Sequence, residues 1–247
     1  MVERKIYTAR LTDSRLLSER TQCKHFEFVV EGEERFDFAP GQFISMLAKS
    51  GEKQMTRAYS IASGPHSDSR FDLCLNRVEG GFFSNYLCDM DHGNEVHFHG
   101  PHGHFVLRQP LRDSIFIATG TGIAPMRGFV EWLFAKTPRH EGRQVWLIFG
   151  TRQESEIYYR EYFEHVAREF VNFHYIISLS KPHEDWRGAR GYVQDQVKTI
   201  LEARPGHGKD EMDAYICGLN LMVSANRKQL TEQFGWDKKQ IIFERYD

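Results

Sequence analysis

The sequence predicts an α+β protein of two domains. The first is an N-terminal antiparallel six-stranded β-barrel over residues 1–110. The second is a C-terminal α/β domain over residues 111–247, with a parallel five-stranded sheet and helices on both faces. Two observations carry this expectation. Up to about Pro110 the apolar residues fall in short β-branched or aromatic runs, often alternating and separated by Gly, Asp, Glu and Pro, as in an antiparallel barrel or sandwich. Beyond it, buried-type strand runs alternate with amphipathic stretches, the pattern of a parallel sheet covered by helices.

The barrel strands are expected at "KIYTARLT", "CKHFEFVV", "GQFISMLA", "RAYSIAS", "RFDLCLNR" and "NEVHFHG". "FFSNYLCDM" interrupts them with Phe83, Tyr86, Leu87 and Met90 at helical spacing, so a short helix is expected there. In the second half "SIFIATG" leads into "PMRGFVEWLFAK", and "QVWLIFG" into "EIYYREYFEHVAREF". "FHYIISLS" then leads into "YVQDQVKTIL" and "DAYICG" into "LMVSANRKQLTEQF", before the chain closes on "QIIFERYD". The change of pattern puts the domain boundary between Arg108 and Arg112.

Composition narrows the function classes. A net charge of −2 gives no global field for nucleic acid. Cys23, Cys74, Cys88 and Cys217 stand singly, which argues against an iron–sulfur centre, a zinc site or a disulfide framework and suits a reducing cytoplasm. "MVERKIYTAR" lacks the apolar core of a signal peptide, and no run approaches membrane-spanning length, so a soluble cytoplasmic protein is expected. His97 and His99 share one strand face in "HGNEVHFHGPHGH", but no further ligand completes a set, so no metal is expected.

Two short stretches carry chemistry. In "IATGTGIAPMRGF" a strand runs into a helix. Gly120 and Gly122 let backbone approach an anion, Thr121 adds a hydroxyl, and Pro125 is placed to open a helix whose free N–H groups favour phosphate. It is not GxGxxG, and a Gly-rich turn alone is an ordinary strand–helix connection. "RAYSIAS" sets a guanidinium, a phenol and a hydroxyl on one extended segment; by itself it reads as an edge strand with a surface arginine.

Together these stretches resemble the ferredoxin–NADP reductase superfamily, and its plant-type members most. "SNYLCDM", "GPHGHF", "YICGL" and the terminal "ERYD" complete the set in the family's order, from Arg57 to Tyr246. The resemblance implies a flavin-binding barrel and a nicotinamide-binding α/β domain. It lays Arg57, Ala58, Tyr59 and Ser60 along FAD, with Arg57 on the pyrophosphate and Ser60 beside flavin N5. Gly81, Phe82, Phe83 and Ser84 are implied to hold the FAD phosphates; no adenine-stacking aromatic is assigned, and FMN stays an alternative. For NADP(H), with NAD(H) as the alternative, the resemblance implies Thr121, Gly122, Pro125 and Gly218. It adds Ser180 and Lys181 at the 2′-phosphate, where plant-type members carry Ser-Arg, together with Arg190, Tyr192 and Gln194.

The implied catalytic set is Ser60, Cys217, Glu244 and Tyr246. Cys217 lies beside the nicotinamide, Glu244 assists Ser60, and Tyr246 covers the flavin face, with Asp247 one residue beyond the plant-type end. The implied reaction exchanges hydride between NADP(H) and flavin, and single electrons with a ferredoxin- or flavodoxin-type carrier. The protein is expected to be a monomer. An oxygenase reductase component, a flavin reductase and a non-catalytic interaction subunit are the alternatives.

Overall fold

The structure is a computed structural model that describes residues 4–246; Asp247 lies outside the described residues. Strands β1 (Tyr7–Ser18), β2 (Cys23–Val30), β3 (Phe43–Ser50), β4 (Lys53–Ser60), β5 (Arg70–Asn76) and β6 (Glu95–His102) form one antiparallel sheet in the order β4-β3-β6-β1-β2-β5. A single bridge between Ile61 and Leu73 joins its two edges and closes the barrel. The two-residue period explains the filling. Phe26, Phe28 and Val30 alternate inward on β2 and meet Phe71 and Phe98 in a buried aromatic core. Helix α1 (Phe82–Cys88) connects β5 to β6 and turns Phe83 and Leu87 into that core.

The second half folds as β7 (Asp113–Thr119), α2 (Ile123–Leu133), β8 (Val145–Thr151), α3 (Arg160–Glu169), β9 (Phe173–Leu179), β10 (Ala189–Arg190), α4 (Val193–Glu202), β11 (Met212–Leu219), α5 (Asn220–Lys228) and β12 (Ile241–Tyr246). All its pairings are parallel, in the order β10-β9-β8-β7-β11-β12. Alternation along β7 shows why both faces are covered. Phe116 and Ala118 pack with α2 and α3, whereas Ile115 and Ile117 pack with α4 and α5. Strand order turns at β7, which has β8 on one side and β11 on the other, and such a switch opens a crevice at the carboxyl ends of the strands.

Three details differ from expectation. The sheet has six strands rather than five, because Ala189 and Arg190 add a two-residue edge strand beside Ser178 and Leu179, too short to leave a pattern. Helix α2 starts at Ile123 after a 3-10 turn over Gly120–Gly122, so Pro125 sits inside the first helical turn instead of opening it. It is tolerated there because the first N–H groups of a helix have no intrahelical partner. Helix α3 starts only at Arg160, since Tyr159 takes a left-handed conformation, φ 54°, ahead of it. Among the described residues no helix is long and apolar enough to cross a membrane, and no group of three or more His, Cys, Asp or Glu could hold a metal.

The barrel and the α/β layer share one buried cluster that includes Cys23, Ala62, Cys74, Phe105 and Phe129. His25 is fully buried in this contact and hydrogen-bonds the Tyr159 hydroxyl through Nδ1 at 2.9 Å. Burial, then the charges of Arg127 and Arg15, push its pKa down to about 2. The Glu27 and Asp72 carboxylates, 3.4 and 3.6 Å from Nε2, do not reverse this. They are themselves paired with Arg15 and Arg127 at 3.0 and 2.9 Å. The folded pKa is depressed, so below an unfolded value of about 6.5 the unfolded chain takes up a proton that the native state refuses. Stability is therefore expected to fall on acidification from about pH 6.5, by up to about 1.4 kcal/mol per pH unit from this residue. His25→Gln should flatten that slope, read as urea midpoints across the acid range; an unchanged slope would refute it.

Candidate active site

Parallel strands place the ends of β7, β8, β9, β11 and β12 along one border, and the barrel meets the sheet there. In a parallel pair, residues in register share a face. Cys217 lies between Ala118 of β7 and Glu244 of β12. Two residues on from Glu244, Tyr246 lies beside Leu219. Cys217, Glu244 and Tyr246 therefore point to the same side, toward the end of β4.

There the Tyr246 hydroxyl donates to Ser60 Oγ at 2.5 Å, and Ser60 Oγ donates to Glu244 Oε1 at 3.1 Å. The Tyr246 hydroxyl also hydrogen-bonds the fully buried Cys217 thiol. Burial pushes the Glu244 carboxyl above the usual carboxylate range, against the pull of the Ser60 hydrogen bond. Burial, joined by the Glu244 charge, holds the Cys217 thiol well up, and burial does the same to the Tyr246 phenol. Cys217 is thus a neutral thiol at neutral pH, suited to packing against a ring rather than to nucleophilic attack. All four residues of the expected catalytic set meet in this chain of contacts.

The loop after β7 is pressed against the end of β11. A Cβ at Gly122 would lie 2.5 Å from the Cys217 carbonyl carbon and 2.8 Å from Gly218 N. Gly218, at φ 144°, would bring a Cβ to 2.9 Å from Met222 Cε and 3.0 Å from the Thr119 carbonyl oxygen. Beside it the Thr119 hydroxyl is buried with no partner. That orphan hydroxyl, beside a turn whose Gly120 has open space where a Cβ would stand, lies at a switch point and suits a nicotinamide dinucleotide, and Thr121 and Pro125 flank it. Thr119 escaped sequence reasoning because one hydroxyl before a glycine turn has no distinguishing pattern.

At the neighbouring strand ends, Ser180 N–H donates to the Thr151 carbonyl at 3.0 Å and Lys181 N–H to the Arg152 carbonyl at 2.9 Å. Arg152 and Lys181, both exposed, are thus side by side, and Arg152 is a second cation that the sequence reading missed. Only strand order makes these two neighbours. Tyr192 leads into α4 and is 70% exposed, open to stacking on a base, while Asp195 accepts its backbone N–H at 3.0 Å. Arg190 turns the other way, and its Nη2 donates to the carbonyls of His183, Glu184 and Trp186 at 3.2, 2.8 and 2.9 Å. It closes the 183–186 loop. Gln194 Oε1 is buried without a partner, and the Gln194 carbonyl accepts from Gln229 Nε2 at 3.1 Å.

On the barrel side, Arg57 and Ala58 are exposed on edge strand β4, and Tyr59 is half-buried, its phenol pushed up to about 12 by burial. This edge offers a rigid strip of guanidinium, phenol and hydroxyl of the kind a flavin dinucleotide can lie along. Ser84 does not face outward. Its Oγ accepts the Val78 N–H at 3.0 Å, and a Cβ at Gly81 would sit 2.6 Å from that Oγ. Phe83 is buried, but Phe82 and Tyr86 are 37% and 40% exposed and nearly parallel, with centroids 6.4 Å apart. They are the flat aromatic surface that sequence reasoning did not find. The helical spacing of four that stacks them was visible; their exposure was not.

Residues 8–107 match the oxidoreductase FAD-binding domain model and residues 116–228 the oxidoreductase NAD-binding domain model. Ferredoxin–NADP reductase B of Sorangium cellulosum is 36% identical over the full length of both chains. The chain belongs to the ferredoxin–NADP reductase superfamily. It is an FAD-dependent oxidoreductase with a nicotinamide-binding domain, as the two models imply. The phenol hydroxylase P5 protein of Acinetobacter pittii is 32% identical over 76% of this chain, which spans only 52% of that relative. In fold the chain is similar to the Plasmodium falciparum ferredoxin–NADP+ reductase solved with 2'P-AMP, with a TM-score of 0.81 at 20% identity, covering 98% of this chain and 97% of that one.

Proposed function

We propose that this superfamily member exchanges hydride between NADP(H) and FAD, and single electrons with a ferredoxin- or flavodoxin-type carrier. The observation that carries the reading is the Tyr246–Ser60–Glu244 chain beside Cys217, at the junction of the flavin strand and the nicotinamide loop. Bound FAD supplies the conversion between a two-electron hydride and single electrons. The residues do the rest. With nicotinamide bound, Tyr246 would have to leave its place beside Ser60, and Cys217 would bound the lateral position of the ring. Ser60, at the end of the flavin strand, would hand a proton to or from Glu244 Oε1, whose burial-raised pKa suits it to hold one. Arg57 and the backbone N–H groups of residues 82–84 would hold the flavin phosphates, and Phe82 with Tyr86 would support its adenine.

The external carrier is inferred from the ferredoxin-reductase relatives and from the four buried free cysteines, of which Cys23 and Cys74 adjoin at 3.6 Å, too few together for a cluster-binding set. A ferredoxin or flavodoxin is the first choice of carrier, and a monomer in the cytoplasm the expected state. The phenol hydroxylase relative favours a second reading, as the reductase that feeds an oxygenase. One experiment tests both: anaerobic addition of NADPH or NADH to the yellow protein, with ferredoxin, flavodoxin and ferricyanide offered in turn. A colourless protein that binds neither cofactor would end both readings.

Arg152 and Lys181 favour NADPH, because two cations at one strand border suit a 2′-phosphate. Lys181→Ala is expected to lower kcat/KM for NADPH by roughly tenfold or more and leave NADH untouched, the loss of one charge-assisted bond. Equal efficiency of the wild type with the two nucleotides would remove this preference.

A further inference from the structure

Helix α2 begins at the nicotinamide loop, and the chain that leaves β4 passes directly beneath it. Arg127 Nη1 donates to the Ala62 carbonyl at 2.6 Å and to Asp72 Oδ2 of β5 at 2.9 Å, and lies 3.4 Å from Glu131 Oε2. Its guanidinium is stacked over Tyr159 and Tyr162, 5.2 and 5.3 Å from the ring centroids. Gly64 N–H donates to Glu131 Oε2 at 3.2 Å. A Cβ at Gly128 would come within 2.7 Å of the Ser63 carbonyl oxygen, and one at Gly41 within 2.6 Å of Phe129 Cε1. Helix backbone and barrel backbone therefore touch with nothing between them.

We propose that Arg127, Gly128 and Glu131 form a latch that fixes the distance between flavin and nicotinamide, with Arg127 as its positioning residue. The proposal rests on the hydride-transfer reading above. Ala62 is two residues past Ser60 on one side of the latch, and on the other Arg127 is five residues past Gly122. Five residues of helix span about 7.5 Å, too short and stiff to absorb a shift. Movement at the latch must then appear at the relay and the phosphate loop. Near-attack geometry tolerates little of it, since a misplacement of about 1 Å can cost on the order of 10²-fold in rate. The buried ion pair Arg127–Asp72 is weak evidence for stability by itself. Its donation to a backbone carbonyl next to the flavin strand is what makes it a gauge of distance.

Arg127→Gln, Arg127→Lys and Gly128→Val in the holoprotein test the latch. Each is expected to keep its flavin and the wild-type rate at which ferricyanide reoxidises the photoreduced flavin, with NADP+ affinity changed far less than the rate of flavin reduction. Flavin reduction by NADPH should slow on the order of 10²-fold in Arg127→Gln and Gly128→Val, with partial rescue in Arg127→Lys. The nicotinamide–flavin charge-transfer absorbance should be lost, and hydrogen–deuterium exchange should rise over residues 61–64 and 120–128. Unchanged reduction and an intact charge-transfer band would overturn the proposal. So would equal losses of flavin retention and of the ferricyanide step, the mark of a merely structural role. If Gly128→Val does not fold, the two Arg127 variants decide on the same criteria. A wild type reduced by neither nucleotide overturns the hydride-transfer reading and the latch with it, whereas wild-type reduction beside undisturbed variants overturns the latch alone.

Discussion

Replacing Ser60 with alanine is expected to slow flavin reduction by NADPH on the order of 10²-fold or more while the protein stays yellow. Ser60 is the node of the relay, accepting from Tyr246 and donating to Glu244. Its loss takes one hydrogen-bond partner from each of two part-buried polar groups, which costs roughly 1 kcal/mol of stability besides the rate. The pH dependence separates this role from simple damage. The Ser60 hydrogen bond pulls the Glu244 pKa down against the burial that raises it. Without it, the Glu244 transition should move to still higher pH in Ser60→Ala and vanish in Glu244→Gln. The sign for stability follows from the same direction. A carboxyl raised by folding contributes fully below its unfolded pKa, and that contribution is lost as pH rises through the folded value. Rates measured by anaerobic mixing across pH decide the matter: an alanine variant with the wild-type rate and profile removes Ser60 from the relay.

The second large effect is expected from Gly122→Ala. Gly122 has φ −60° and ψ −10°, open to any residue, so the requirement at this position is for room. An added Cβ would fall 2.5 Å from the Cys217 carbonyl carbon and 2.8 Å from Gly218 N, both backbone atoms held in the β7–β11–β12 ladder. No side chain can swing away to relieve the clash. The loop must instead lift from the sheet, at about 1–3 kcal/mol for overpacking and more if the strand moves with it. Lifting the loop displaces both the anion cradle and the neighbour of the Cys217 thiol. NADP+ affinity and flavin reduction should therefore fall together, by at least an order of magnitude each, with flavin content intact. Titration of NADP+ against the flavin spectrum checks this, and wild-type affinity in the variant would show that the loop does not seat the nucleotide. Gly122→Ala thus lowers affinity and rate together, while the latch variants are expected to lower the rate far more than the affinity.

The architecture was legible where the period of the sequence matches one element. Alternation in "CKHFEFVV" and the apolar runs of "SIFIATG" and "QVWLIFG" each fit a single geometry, and all became strands. Two helix starts were misplaced because local backbone chemistry outweighed periodicity: a 3-10 turn ahead of Pro125, and a left-handed Tyr159 inside an apparently helical run. The two-residue strand at Ala189 and Arg190 had no pattern to read. In the site, Glu244 and Tyr246 were picked out by the family's terminal spacing, and β12 then places both on one strand face. Arg190 shows the limit. Its residue type and place matched a nucleotide contact, yet its guanidinium is hydrogen-bonded to three carbonyls of its own loop.

The sequence by itself determined the two architectures and the glycine-rich turn between strand and helix, because periodicity and glycine placement are local properties; the relay residues were singled out only through the family resemblance. Only the tertiary structure decided that Ser60 meets Tyr246, that Arg152 stands beside Lys181, that Phe82 and Tyr86 offer an open aromatic face, and that Arg127 binds the barrel. Each of these depends on strand order, on exposure or on the seating of barrel against sheet. Such relations are set by burying a shared apolar surface between distant segments, and no window of sequence contains both sides of that contact.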